Sequence, residues 1–234
     1  MAKPRLDLTR TAVQVSLDVT SIDEALRMAD GAVRAGVDWL EAGTPLILAE
    51  GLRCVRALRD RFPEHPVVAD LKTMDGGGLE AEMMLEAGAT FVVVMSQAHP
   101  ATVREVVAMA RDRGGCVMAD VLNAPDKAQA ARAMADLGAD YIIAHLGYDE
   151  RRHVPGLSAL DGLDEIVAAA DIPVQAVGGL SIDEAVASLR MGARSVVIGA
   201  PLAVEADRFA SAAQFEEILR DVVASVDRVR GQAR

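Results

Sequence analysis

Short apolar runs alternate along this chain with longer stretches in which apolar residues recur every three or four positions, the pattern of strands interleaved with amphipathic helices. The runs predict strands at residues 13–19, 39–41, 67–71, 91–95, 116–121, 141–145, 173–177 and 195–198. Helices are expected at about 21–35, 50–61, 79–87, 100–113, 125–137, 160–170, from 181 onward, and 212–229. Ser21-Ile-Asp-Glu24 and Ser181-Ile-Asp-Glu184 both have the form of a capping box. The stretch 147–158 is polar and charged and reads as a loop.

A repeat supports this division. Gly36, Gly88, Gly138 and Gly192 recur at intervals of about fifty residues, each closing a helix just before an apolar run. A glycine suits that position because the residue after a helix commonly takes positive φ. Two βα units per repeat give eight strands and eight helices. The runs are continuously apolar, as in a parallel sheet covered on both faces. The fold class is therefore α/β: a single (β/α)8 TIM barrel over residues 1–234, preferred to an open doubly wound sheet.

Composition narrows the function. With 24 Lys and Arg against 35 Asp and Glu, the formal net charge is −11, and only 3% of residues are aromatic. A nucleic-acid partner is not expected, since it needs a basic face and stacking platforms. No apolar run is long enough to predict a membrane span, and residues 1–10 lack the pattern of a signal peptide. Cys54 and Cys116 have no metal-ligand spacing and read as buried reduced thiols, consistent with a cytoplasmic protein.

Barrels of this kind carry their chemistry at the C-terminal ends of the strands. Charged residues fall at those ends: Asp18 at the end of the first strand, Glu41 at the end of the second, Asp70, Lys72 and Asp75 at the third, Asp120 near the fifth, and His145 at the sixth. Glu41 and Asp70, from adjacent strands, offer hard oxygen donors for Mg²⁺. Lys72, among carboxylates, is expected to stay protonated as a fixed positive charge. His145 is the candidate general base. Together these groups suit the formation and stabilisation of an enediolate. Gly178-Gly179 after the seventh strand, before a capped helix, and Gly199-Ala200 after the eighth form a candidate phosphate cradle.

The sequence Asp70-x-Lys72-Thr-x-Asp75 resembles the D-x-K-x-x-D signature of the orotidine 5′-monophosphate decarboxylase superfamily. Glu41-Ala-Gly-Thr-Pro-Leu46, Ala69-Asp-Leu-Lys-Thr-Met-Asp75 and His145-Leu-Gly-Tyr-Asp149 are most similar to its 3-hexulose-6-phosphate synthase branch. The 3-keto-L-gulonate-6-phosphate decarboxylases share most of the constellation. The resemblance implies a Mg²⁺-dependent aldol reaction in which ribulose 5-phosphate loses a C1 proton and the enediolate adds to formaldehyde. It implies Glu41 and Asp70 at the metal and His145 moving the proton. Asp18 and Lys72 would meet the sugar hydroxyls and developing oxyanion. Thr44 would lie at the substrate, with Gly178, Gly179, Gly199 and Ala200 at the phosphate. It further implies a homodimer in which Asp75 completes the partner's site.

Three stretches depart from the branch's usual pattern: Leu146 within His-Leu-Gly, Ser96-Gln-Ala-His99 after the fourth strand, and Gly199-Ala-Pro201 after the eighth. The alternative is a decarboxylase-like lyase using the same enediolate, with Arg151, Arg152 or His153 as proton donor. A silent sugar-phosphate-binding barrel is disfavoured by the intact charge array, and orotidine monophosphate as substrate by Glu41 and His145.

Overall fold

The computed structural model describes residues 4, 6–200 and 212–232. Eight parallel strands close into one barrel in chain order: β1 (Ala12–Leu17), β2 (Trp39–Ala42), β3 (Val67–Thr73), β4 (Phe91–Met95), β5 (Cys116–Asp120), β6 (Tyr141–His145), β7 (Val174–Val177) and β8 (Ser195–Ala200). The barrel shuts where β1 pairs with β8, Ala12 opposite Ser195. Around it lie α1 (Ile22–Ala35), α2 (Thr44–Glu50), α3 (Leu52–Arg61), α4 (Gly77–Ala87), α5 (Pro100–Asp112), α6 (Lys127–Asp136), α7 (Tyr148–His153), α8 (Leu163–Ala169), α9 (Ile182–Arg190) and α10 (Ala212–Gln232). The four repeat glycines all hold left-handed backbone, with φ of 90°, 113°, 96° and 108° at Gly36, Gly88, Gly138 and Gly192.

The strands are apolar on both faces, but the two faces do different work. Val13, Val15 and Leu17 of β1, like Leu40, Ala69 and Val92, pack outward into the layer beneath the helices. Ala12, Trp39, Val68, Phe91, Met118, Tyr141 and Ile143 point inward and fill the lower barrel. Trp39 anchors this plug, 4.9 Å from the Phe91 ring and edge-on to Tyr141 at 5.7 Å. Two residues further along, the inward row becomes polar. Gln14 and Ser16 follow Ala12, Glu41 follows Trp39, Asp70 follows Val68, Asp120 follows Met118, and His145 follows Ile143. Because side chains on a strand alternate between faces, these polar groups are forced into the upper barrel once the aromatic plug is seated.

Four sequence expectations need correction. Thr44–Glu50 is a helix, with Pro45 in its first turn, separated from α3 by Gly51 at φ 62°. Tyr148–His153 is a short helix within the expected loop, so ten helices surround the barrel among the described residues. It buries no residue and so leaves no apolar periodicity; its order of Asp149 and Glu150 first, then Arg151, Arg152 and His153, matches the helix dipole. Ser21 does not close a capping box, and the Ile22 N–H instead faces Glu50 Oε1 at 3.4 Å. The box at Ser181 is complete, with Glu184 N–H donating to Ser181 Oγ and Ser181 N–H donating to Glu184 Oε2. Finally, Cys54 is buried but Cys116 only partly so.

Candidate active site

The polar tier opens into a cavity of about 250 Å³ at the C-terminal mouth of the barrel. Its walls include Asp18, Glu41, Thr44, Asp70, Lys72, His145, Gly178, Gly179 and Gly199, so nine of the predicted site residues converge at one mouth. Ala200 ends β8, and its side chain and Pro201 lie outside the described part. Asp75 is exposed and does not line the cavity of its own chain.

Each charged group is held by groups from neighbouring strands. Glu41 is buried; Oε1 accepts from Ser16 Oγ at 2.7 Å and Oε2 from Gln14 Nε2, while Gln14 Oε1 accepts from Gln175 Nε2 at 3.0 Å. This ladder of buried amides crosses the barrel and fixes the carboxylate's orientation. Asp70 Oδ2 accepts from Lys72 Nζ, and the Thr44 hydroxyl lies 2.9 Å from that oxygen and from the Asp70 main-chain carbonyl. Thr44 thus orients Asp70 as well as lining the cavity. The other oxygen, Asp70 Oδ1, is buried with no hydrogen-bond partner.

Lys72 has φ of 51°, rare for a side-chain-bearing residue, at the point where the β3–β4 register shifts. The irregularity holds backbone strain of about 1–3 kcal/mol. Its consequence is that the Lys72 ammonium meets the Asp70 carboxylate at the mouth.

Crowded acids in a buried tier repel one another. Glu41 is pushed up to about 8, first by burial and then by the charges of Asp70 and Asp18. Asp18 is pushed up to about 6 by burial and then by Asp70. Burial disfavours the Lys72 ammonium, but Asp70, Asp120 and Glu41 outweigh it and hold the amine charged, above its ordinary value. Between the ordinary carboxylate range and these raised values the folded chain retains protons that the unfolded chain has released. Stability without a bound cation should therefore fall as pH rises from about 5 to about 8. Urea titrations in EDTA across that window check this expectation, and Glu41→Gln should flatten the slope.

Two residues have contacts that the sequence alone does not assign, although it places Asp120 at this rim. Asp120, almost fully buried, places Oδ2 2.7 Å from His145 Nδ1 and accepts from the Leu122 N–H through Oδ1 at 2.7 Å. A carboxylate at Nδ1 fixes the tautomer with its proton there and leaves Nε2 to exchange one. The available signal was parity: Asp120 stands two residues after inward Met118 and in register with Ile143, two before His145. Gly43 is the second. A Cβ there would come within 2.2 Å of Asp18 Oδ1, so only glycine lets this carboxylate lie against the start of α2. Of the three candidate donors on α7, only Arg151 lines the cavity; Arg152 donates to the Tyr148 hydroxyl at 2.9 Å, and His153 Nδ1 lies 2.8 Å from the Asp149 carbonyl.

Fold and comparisons together define a (β/α)8 barrel enzyme, with carboxylates, a lysine ammonium and a carboxylate-bound imidazole at the C-terminal mouth of its barrel. A sequence profile described as "Orotidine 5′-phosphate decarboxylase / HUMPS family" matches residues 11–215, and the chain belongs to that family as a lyase-type enzyme. A relative from Mycobacterium gastri named 3-hexulose-6-phosphate synthase is 37% identical over 86% of this chain and 95% of its own. A crystal structure of a 3-hexulose-6-phosphate synthase superposes with a TM-score of 0.83 at 33% identity, covering 92% of this chain and 99% of that one. The 3-keto-L-gulonate-6-phosphate decarboxylase of Vibrio cholerae superposes at 0.78 with 27% identity, over 94% and 99% of the two chains. Among the described residues no helix is long and apolar enough to cross a membrane.

Proposed function

We propose that the chain condenses ribulose 5-phosphate with formaldehyde to a 3-hexulose 6-phosphate. The observation that carries this reading is that His145, paired with Asp120 behind it, lines one cavity with the Lys72–Asp70 pair and Glu41. His145 Nε2 takes the C1 proton of the ketose, and Asp120 steadies the imidazolium that forms. Lys72, held positive, faces the oxygen that gains charge as the enediolate develops. Asp18 binds the sugar hydroxyls. C1 then attacks the formaldehyde carbon as its C=O π bond opens, and the resulting alkoxide takes the proton held by the His145 imidazolium, returning the base.

The residues present fit Mg²⁺. Among the described residues no three His, Cys, Asp or Glu side chains form a ready-made ligand set. Mg²⁺, however, commonly takes one or two protein carboxylates and draws its remaining ligands from water and substrate. Asp70 Oδ1 is a buried oxygen without a partner, and Glu41 is an adjacent carboxylate. These two would hold the ion, which would supply positive charge beside the substrate oxygens. The two glycines of β7's exit and Gly199 would accept the phosphate.

A homodimer with shared sites belongs to the same proposal. Asp75 is exposed, and Met74, Leu79 and Met83 beside it, with Leu48 of α2, are large apolar residues left open to solvent. Sedimentation should give a dimer, and a monomer with full activity would remove Asp75 from the site.

The test follows formaldehyde consumption with ribulose 5-phosphate. Mg²⁺-dependent consumption abolished by EDTA is expected. Release of carbon dioxide from a 3-keto sugar acid phosphate, with no uptake of formaldehyde, would replace this reading with the decarboxylase one.

A further inference from the structure

We propose that Arg151 is the side-chain cation that binds the substrate's phosphate, seated against Gly179 at the exit of β7. The inference rests on the sugar-phosphate reading above and names a residue that reading does not use. If a Cβ were present on Gly179, it would lie 2.0 Å from Arg151 Nη1, 2.2 Å from Cζ and 2.8 Å from Nη2. The guanidinium thus occupies the space the glycine leaves open, at the wall formed by Gly178, Gly179 and Gly199.

Charge argues for the same assignment. A phosphomonoester brings nearly two negative charges at neutral pH. Asp18, Glu41 and Asp70 already make one side of the cavity acidic, and the Lys72 ammonium is engaged by Asp70. Arg151 is the other permanent cation among the described lining residues, and it stands at the glycine wall. Its planar fork suits two oxygens of one phosphate. α7 also fixes its direction, with Cζ 6.0 Å from the Tyr148 ring centroid and its charge felt by Glu184 in the first turn of α9.

The test pairs Arg151→Gln with Arg151→Lys. Inorganic phosphate binding is measured by titration calorimetry, and steady-state kinetics with ribulose 5-phosphate are measured alongside. Arg151→Gln should weaken inorganic phosphate by about 10- to 100-fold and raise KM for the sugar phosphate by a similar factor, with kcat changed less than about threefold. Arg151→Lys should recover part of both losses. The loss in kcat/KM should be larger for ribulose 5-phosphate than for unphosphorylated ribulose. Unchanged phosphate affinity and KM in Arg151→Gln would overturn the proposal, as would an equal kcat loss for both sugars, the behaviour of a proton donor. Failure of the enediolate reading would look different: wild type would bind phosphate through Arg151 yet exchange no C1 proton.

Discussion

His145→Ala is expected to slow C1 proton exchange on ribulose 5-phosphate by about 10²–10⁴-fold while leaving KM within a fewfold of wild type. The imidazole is held 2.7 Å from Asp120 and lines the cavity, so under the proposed mechanism its removal would take away the base without emptying the proposed phosphate and sugar contacts. Asp120→Asn should cost about tenfold to a hundredfold in the same assay. Its amide can still meet Nδ1, but one orientation offers a donor, which favours the tautomer with the proton on Nε2. Full exchange in His145→Ala would move the role of base to another group. Full exchange in Asp120→Asn would reduce that aspartate to a structural partner of the Leu122 N–H.

The second large effect concerns stability. Arg59 is 1% exposed and donates to the carbonyls of Gly88, Pro63 and His65 and to the Thr90 hydroxyl, each between 2.8 and 2.9 Å. It ties α3 to the loop before β3 and to the turn before β4, at the end of the barrel away from the polar cavity. Arg59→Met would leave those acceptors buried without a donor, and we expect a loss of about 3–5 kcal/mol. For a chain of this length that is roughly a 10 °C fall in Tm. Gly88 belongs to the same device, because a Cβ there would meet Arg59 Cγ at 2.6 Å. A scanning-calorimetry shift of less than 2 °C would show that water or a rearranged loop satisfies these carbonyls.

Much of this architecture was readable in the chain because it rests on periodic signals. The repeated glycines closing helices, the apolar runs and the charges at their ends all follow from backbone geometry shared by every unit. What escaped has no period. α7 buries nothing, so no apolar stripe announced it. The Ser21 motif matches the one at Ser181 in residue type, but Glu50 faces the first N–H of α1 instead. Arg59 looks like an ordinary helical charge until the chain brings three carbonyls to it. The Arg151–Gly179 approach likewise joins two elements far apart in sequence. Asp120 lies between these cases. Strand parity places it inward with the other acids, but only the pairing of β5 with β6 brings it to His145.

Under the proposed function, the acids, the ammonium and the imidazole at the barrel mouth act together to make a carbanion from a sugar phosphate. The most direct test is the NMR signal of C1 when wild-type protein, Mg²⁺ and ribulose 5-phosphate are mixed in D₂O without formaldehyde. Stereospecific loss of one C1 proton signal, abolished by EDTA and by His145→Ala, is the predicted result. A C1 signal that persists unchanged with folded, Mg²⁺-supplied wild-type protein would contradict it.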